Sequence, residues 1–87
     1  MALVCLREPL KRLAGGCSAH VLEGATVGDV LAELERENPP LCGWILDERG
    51  VVRRHINVFV NGELGAQDSA VGESDRVDVI PAISGGS

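Results

Sequence analysis

The stretch Ile56-Asn57-Val58-Phe59-Val60-Asn61-Gly62-Glu63-Leu64 decides the fold. Its first five residues are mostly β-branched or aromatic, the composition of a strand. Asn61-Gly62 follows, the strongest short-range hairpin signal, because both residues tolerate the positive φ of a type I′ turn. Glu63-Leu64 begins the return as a very short strand. Alternation puts Ile56, Val58 and Val60 on one face and Asn57 and Phe59 on the other.

Toward the C-terminus, residues 65–72 read as an irregular loop and Glu73-Ser74-Asp75 as a polar turn. Residues 76–80 form the last strand, and Pro81 ends it. If Val77 and Val79 face inward, Asp78 and Ile80 face outward. The chain thus divides into a folded domain, residues 1–81, and a flexible tail, residues 82–87, carrying Gly85-Gly86.

Toward the N-terminus lies one clear helix. Thr26 is an N-cap with Asp29 three residues on, close to a capping box. Val27, Val30, Leu31 and Leu34 recur at helical spacing, one apolar stripe. Glu33, Glu35, Arg36 and Glu37 read as a solvated outer face. Asn38-Pro39-Pro40 stops the helix, since a residue before proline avoids helical geometry. Residues 41–46 read as a short helical turn, with Trp44 as a lid on the core, followed by the surface turn Asp47-Glu48-Arg49-Gly50. Residues 2–6 and 18–22 read as a hairpin, joined by a connection over residues 7–16 with Pro9 and a Gly15-Gly16 turn signal, in which Leu10 and Leu13 plug the core.

The order is β-β-α-β-β with an extra short strand. The helix supplies a crossover, so the first and last strands can pair in parallel at the centre of a mixed sheet. The expected class is α+β, a β-grasp (ubiquitin-like) fold: four to five strands with one main helix on one face.

Composition narrows the function. Eighty-seven residues make one domain, with little room for an internal active site. A net charge of −5 argues against nucleic acid, whose phosphates need Lys and Arg. Trp44 and Phe59 are the only aromatics, too few for a single-strand stacking platform. The three cysteines are odd in number and lack a Cys-x-x-Cys pair, which argues against a secreted disulfide framework. Cys5 reads as a small core hydrophobe and Cys17 as a loop thiol. They cannot supply the four thiolates of an iron–sulfur centre. His55 has no ligand partner nearby, so no metal and no bound cofactor are expected. No apolar run reaches membrane-span length, and the cytoplasm is the expected address.

The chemistry is expected in the tail. Glycines have no side chain, so Gly85-Gly86 can thread a channel too narrow for other residues. A carboxylate on Gly86 could then meet ATP held by another protein. Adenylation would make a mixed anhydride, and a sulfur nucleophile displacing AMP would leave a thiocarboxylate.

Three segments carry a resemblance: residues 58–63 (Val-Phe-Val-Asn-Gly-Glu), residues 72–77 (Gly-Glu-Ser-Asp-Arg-Val) and residues 80–86 (Ile-Pro-Ala-Ile-Ser-Gly-Gly). Together they resemble the sulfur-carrier family, which includes the molybdopterin-synthase small subunit, the thiamin-pathway carrier and a cysteine-synthesis carrier. The ending is most similar to the cysteine type. The resemblance implies that the chain is a carrier, not an enzyme. It implies an E1-like adenylating enzyme that uses ATP, and a sulfur-accepting biosynthetic enzyme. Gly86 would bear the adenylate and then the thiocarboxylate, with Gly85 and Ser84 threading the channel. An apolar sheet face would meet the adenylating enzyme; Phe59, Leu64 and Ile80 are its candidates, although Phe59 or Leu64 could equally be core. One departure is Ser87, which ties up the Gly86 carboxyl as an amide. Either a zinc metalloprotease cleaves between Gly86 and Ser87, or Ser87 is an incidental extension. Two rivals share the fold: a ubiquitin-like modifier joined to other proteins through Gly86, and a non-covalent interaction domain.

Overall fold

The computed structural model describes residues 2–8, 10–16 and 18–81. Cys17 and the tail, residues 82–87, lie outside the described residues. The elements in order are β1 (Ala2–Leu6), α1 (Leu10–Leu13), β2 (Ala19–Leu22), α2 (Val27–Glu37), a 3₁₀ turn (Pro39–Leu41), β3 (Ile56–Val60), β4 (Glu63–Leu64) and β5 (Arg76–Pro81). The five strands form one mixed sheet in the order β2-β1-β5-β3-β4. β5 is central, parallel to β1 and antiparallel to β3. This is the β-grasp arrangement expected from the sequence.

The main helix forms where its local signals put it. Thr26 caps it: the Asp29 amide donates to Thr26 Oγ1 at 3.2 Å. Two further first-turn donors are satisfied from outside the helix. Val27 N donates to the Ser69 carbonyl at 3.0 Å and Gly28 N to the Gln67 carbonyl at 2.8 Å. A Cβ on Gly28 would stand 2.9 Å from Gln67 Cγ, so glycine lets the 65–72 loop close over the helix start. Asn38 is the C-cap, and Pro39 opens the 3₁₀ turn beyond it.

The stripe of Val27, Val30, Leu31 and Leu34 is fully buried. It packs with Val4 and Leu6 of β1, Val58 of β3, and Val77 and Val79 of β5 in one aliphatic core. Among the described residues no helix is long and apolar enough to cross a membrane.

Four local expectations need correction. Trp44 is not a lid: it is 47% exposed, and its neighbours Leu41, Ile45 and Leu46 fill the core instead. The branched aliphatic chains take the buried positions of this segment, and the indole is left at the surface. Glu35 is not a solvated face residue. It is half-buried, and its Oε2 accepts from Ile45 N at 3.1 Å and Leu46 N at 2.9 Å. Those amides would otherwise be left without a partner where the chain turns inward. The connection after β1, expected to carry no helix, contains one. Residues 10–13 make one helical turn, which buries Leu10 and packs Leu13 against the core. Cys5 is half-buried on the outer sheet face rather than in the core.

Candidate functional site

The site is built around the end of β5, because that strand leads into the tail. The central position of β5 holds it from both sides. Ile80 pairs with Asn57 and Pro81 with Ile56 across β3, while Leu6 pairs with Val79 across β1. The last described residue, Pro81, therefore lies at the middle of one end of the sheet.

The alternation of β5 sorts its side chains. Val77 and Val79 are buried under α2, whereas Asp78 and Ile80 lie on the outer face. β3 behaves in the same way, with Phe59 outward between Asp78 on one side and Leu64 on the other. Leu64 is 69% exposed, and Phe59 and Ile80 are half-buried. Phe59 sits diagonal to Ile80 across the antiparallel pair, a spacing that an aromatic ring can bridge. The structure thus brings together all three residues expected to form an apolar face, and none of them is core. Gly86, Gly85, Ser84 and Ser87 lie outside the described residues.

The outer face carries more than these three residues. Arg76 Nε donates to Asp78 Oδ1 at 3.1 Å, an exposed ion pair in the middle of the sheet. Asp78 raises the Arg76 pKa above the ordinary guanidinium value. Beyond that pair, Leu3 of β1 and Val21 of β2 are exposed on the same face. The period-two pattern of residues 2–6 was the signal for Leu3.

The sheet end opposite the tail is closed by a hydrogen-bonded junction. Asn61 and Gly62 have φ of 53° and 87°, as a type I′ turn requires. Asn61 N donates to the Arg76 carbonyl at 2.8 Å, and Arg76 N donates to Asn61 Oδ1 at 3.0 Å. Asn61 Nδ2 donates to Asp75 Oδ1 at 2.9 Å, and Gly72 N to Asp75 Oδ2 at 2.7 Å. The Asn61 and Gly72 donors hold the Asp75 carboxyl below its ordinary value. The two turns that carry the sequence resemblance are therefore one structural unit that fixes the register of β3 against β5. Among the described residues no group of His, Cys, Asp and Glu is placed to hold a metal ion.

With this geometry, comparisons with known proteins converge. The model of the ThiS family matches residues 8–86. Small archaeal modifier protein 3 of Haloferax volcanii is 40% identical over 71 residues, covering 77% of this chain and 76% of that protein. The sulfur carrier protein CysO of Mycobacterium tuberculosis is 29% identical over 83 residues, covering 88% of this chain and 89% of its own. A chain of the Amycolatopsis orientalis BexX/CysO complex superposes with a TM-score of 0.86 at 25% identity, covering 97% of this chain and 98% of that one. The matched span, the β-grasp sheet and these relatives together show that the chain belongs to the ThiS family of ubiquitin-like sulfur-carrier proteins.

Proposed function

We propose that this chain carries sulfur as a thiocarboxylate on Gly86. A separate E1-like enzyme joins the Gly86 carboxylate to AMP from ATP and releases pyrophosphate. A sulfur nucleophile then attacks the acyl carbon, AMP leaves, and the thiocarboxylate delivers its sulfur to a biosynthetic enzyme. The observation that carries this reading is the span of the family match, which runs through Gly85-Gly86. The chain itself contributes no catalytic side chain. It is a co-substrate with a slim tail on a rigid base, and Phe59, Leu64 and Ile80 beside that base are the docking face.

In this sequence Ser87 follows Gly86, so the acyl carbon is an amide. Hydrolysis between Gly86 and Ser87, by a zinc metalloprotease, frees the carboxylate before adenylation. The use of ATP assigns the carrier to the cytoplasm.

The test uses chain ending at Gly86, ATP, the adenylating enzyme of the same host and a sulfide donor. Intact mass should gain AMP, and then show one oxygen replaced by sulfur. A chain that acquires neither, beside an enzyme active on another carrier, overturns the reading.

A second reading is favoured by the relatives named small archaeal modifier proteins, one of them 40% identical. In that reading Gly86 is joined to lysines of other proteins. Lys11 is the only lysine here, so lysine-linked chains of this protein would have a single branch point. Covalent adducts that disappear from cells when Gly86 is deleted would establish it.

A further inference from the structure

The two ends of the sheet differ in charge. At the tail end, β1 finishes at Leu6 opposite Val79, which puts Arg7 beside the end of β5. α1, with Lys11 and Arg12, bridges β1 to β2 at this same end. Arg53, Arg54 and His55 immediately precede Ile56, the partner of Pro81. Five cations therefore surround the base of the tail, in a chain of net charge −5. Glu8 is the one carboxylate in these segments, and it pairs weakly with Arg12 at 3.9 Å. The far end carries Glu23, Glu63, Glu73 and Asp75.

Ordinary solubility does not require this segregation, because a soluble surface works best with both signs interspersed. Elsewhere the arginines are neutralised: Arg36 by Glu33, Arg49 by Asp47 and Arg76 by Asp78. Arg53 and Arg54 have no ion pair among the described residues. Arg53 Nε is buried and makes no hydrogen bond within the chain, in a groove lined by Asp47, Arg54 and His55. Asp47, the carboxylate lining that groove, is occupied by Arg49 and by the Arg49 and Val51 amides. Like charges held together destabilise a small domain, and a partner of opposite charge reverses that effect.

We propose that the tail end is an electrostatic docking surface for a carboxylate-lined rim around the channel that receives the tail. This rests on the reading above, in which a protein partner takes in the diglycine. The acidic far end is repelled by the same rim, so the carrier is steered tail first.

The test uses chain ending at Gly86 throughout and measures pyrophosphate exchange by the host's adenylating enzyme as a function of carrier concentration. The variant R7E/R54E changes two exposed residues, so the fold is kept, as circular dichroism and an unchanged melting temperature will verify. At about 0.01 M salt, KM for the carrier should rise about tenfold or more, with kcat unchanged. At about 1 M salt the gap should close to about twofold, because screening then acts within about 3 Å. The reversal E23R/E73R at the far end should leave KM unchanged or lower it. Equal KM for wild type and R7E/R54E at low salt overturns the proposal. So does a KM increase that persists at high salt, which would mean lost packing. Loss of bulk-RNA binding in R7E/R54E with KM unchanged would assign the patch to nucleic acid and also overturn it. Wild-type chain ending at Gly86 that is never adenylated would instead refute the carrier reading itself.

Discussion

On the helix-facing side of the sheet, Val4, Val58, Val77 and Val79 are enclosed with the stripe of α2; on the other side, Leu3, Val21 and Leu64 stand in water. Both sides come from the same alternating strands, so propensity does not distinguish them. Desolvation explains the first: burying each aliphatic side chain there contributes roughly 1.5–3 kcal/mol. It does not explain the second, where apolar area faces solvent across the outer face of the sheet. Exposed apolar clusters of that kind serve contact with other molecules. The difference teaches that stability accounts for one face, while the proposed docking role accounts for the other.

The sharpest way to break this division is to cut into the enclosed side. Leu31→Ala should cost about 2–5 kcal/mol, since the fully buried side chain leaves a cavity that the core cannot refill. Urea denaturation checks this, and a loss under 1 kcal/mol would mean that the core is loosely packed. Glu35→Ala comes next, at about 1–3 kcal/mol, because the Ile45 and Leu46 amides lose their acceptor. Glu35→Gln keeps a side-chain oxygen and should recover part of that loss in the same titration. Thr26→Ala removes the helix cap and should cost about 1 kcal/mol by thermal melting.

Acid tests the junction at the far end. The folded-state pKa of Asp75 is depressed by its Asn61 and Gly72 donors. Its stabilisation is therefore present above the ordinary carboxylate value and is lost as pH falls through the depressed one. Asp75→Asn should flatten the acid limb of a stability-versus-pH curve. An unchanged limb would leave Asp47 and Glu33, also depressed, as its source.

The smallest stability effect belongs to the outer face. Leu64→Asp and Ile80→Asp should each shift the unfolding midpoint by no more than about 0.5 kcal/mol equivalent. They should nevertheless weaken binding to the adenylating enzyme, read by isothermal titration. Unchanged binding in both variants would remove Phe59, Leu64 and Ile80 from the docking face.

The sequence by itself determined the elements whose signals lie within a few residues. Thr26, the Val27–Leu34 stripe and Pro39 set the main helix, because capping, periodicity and ring sterics act within one turn. Asn61-Gly62 set the hairpin through its φ preference, and the alternation of residues 56–60 and 76–80 separated core from surface. The diglycine was legible as chemistry because no fold is needed to see that it has no side chains. Only the tertiary structure decided the rest. Which of Trp44, Ile45 and Leu46 would be buried depended on how the segment packs against a core built from distant elements. The role of Glu35 depended on where a loop ten residues away returned. The gathering of Arg7, Lys11 and Arg54 around the base of the tail depended on strand register, which joins segments that sequence spacing keeps nearly fifty residues apart. Local stereochemistry is written in neighbouring residues; partnership between distant segments exists only once the sheet has closed.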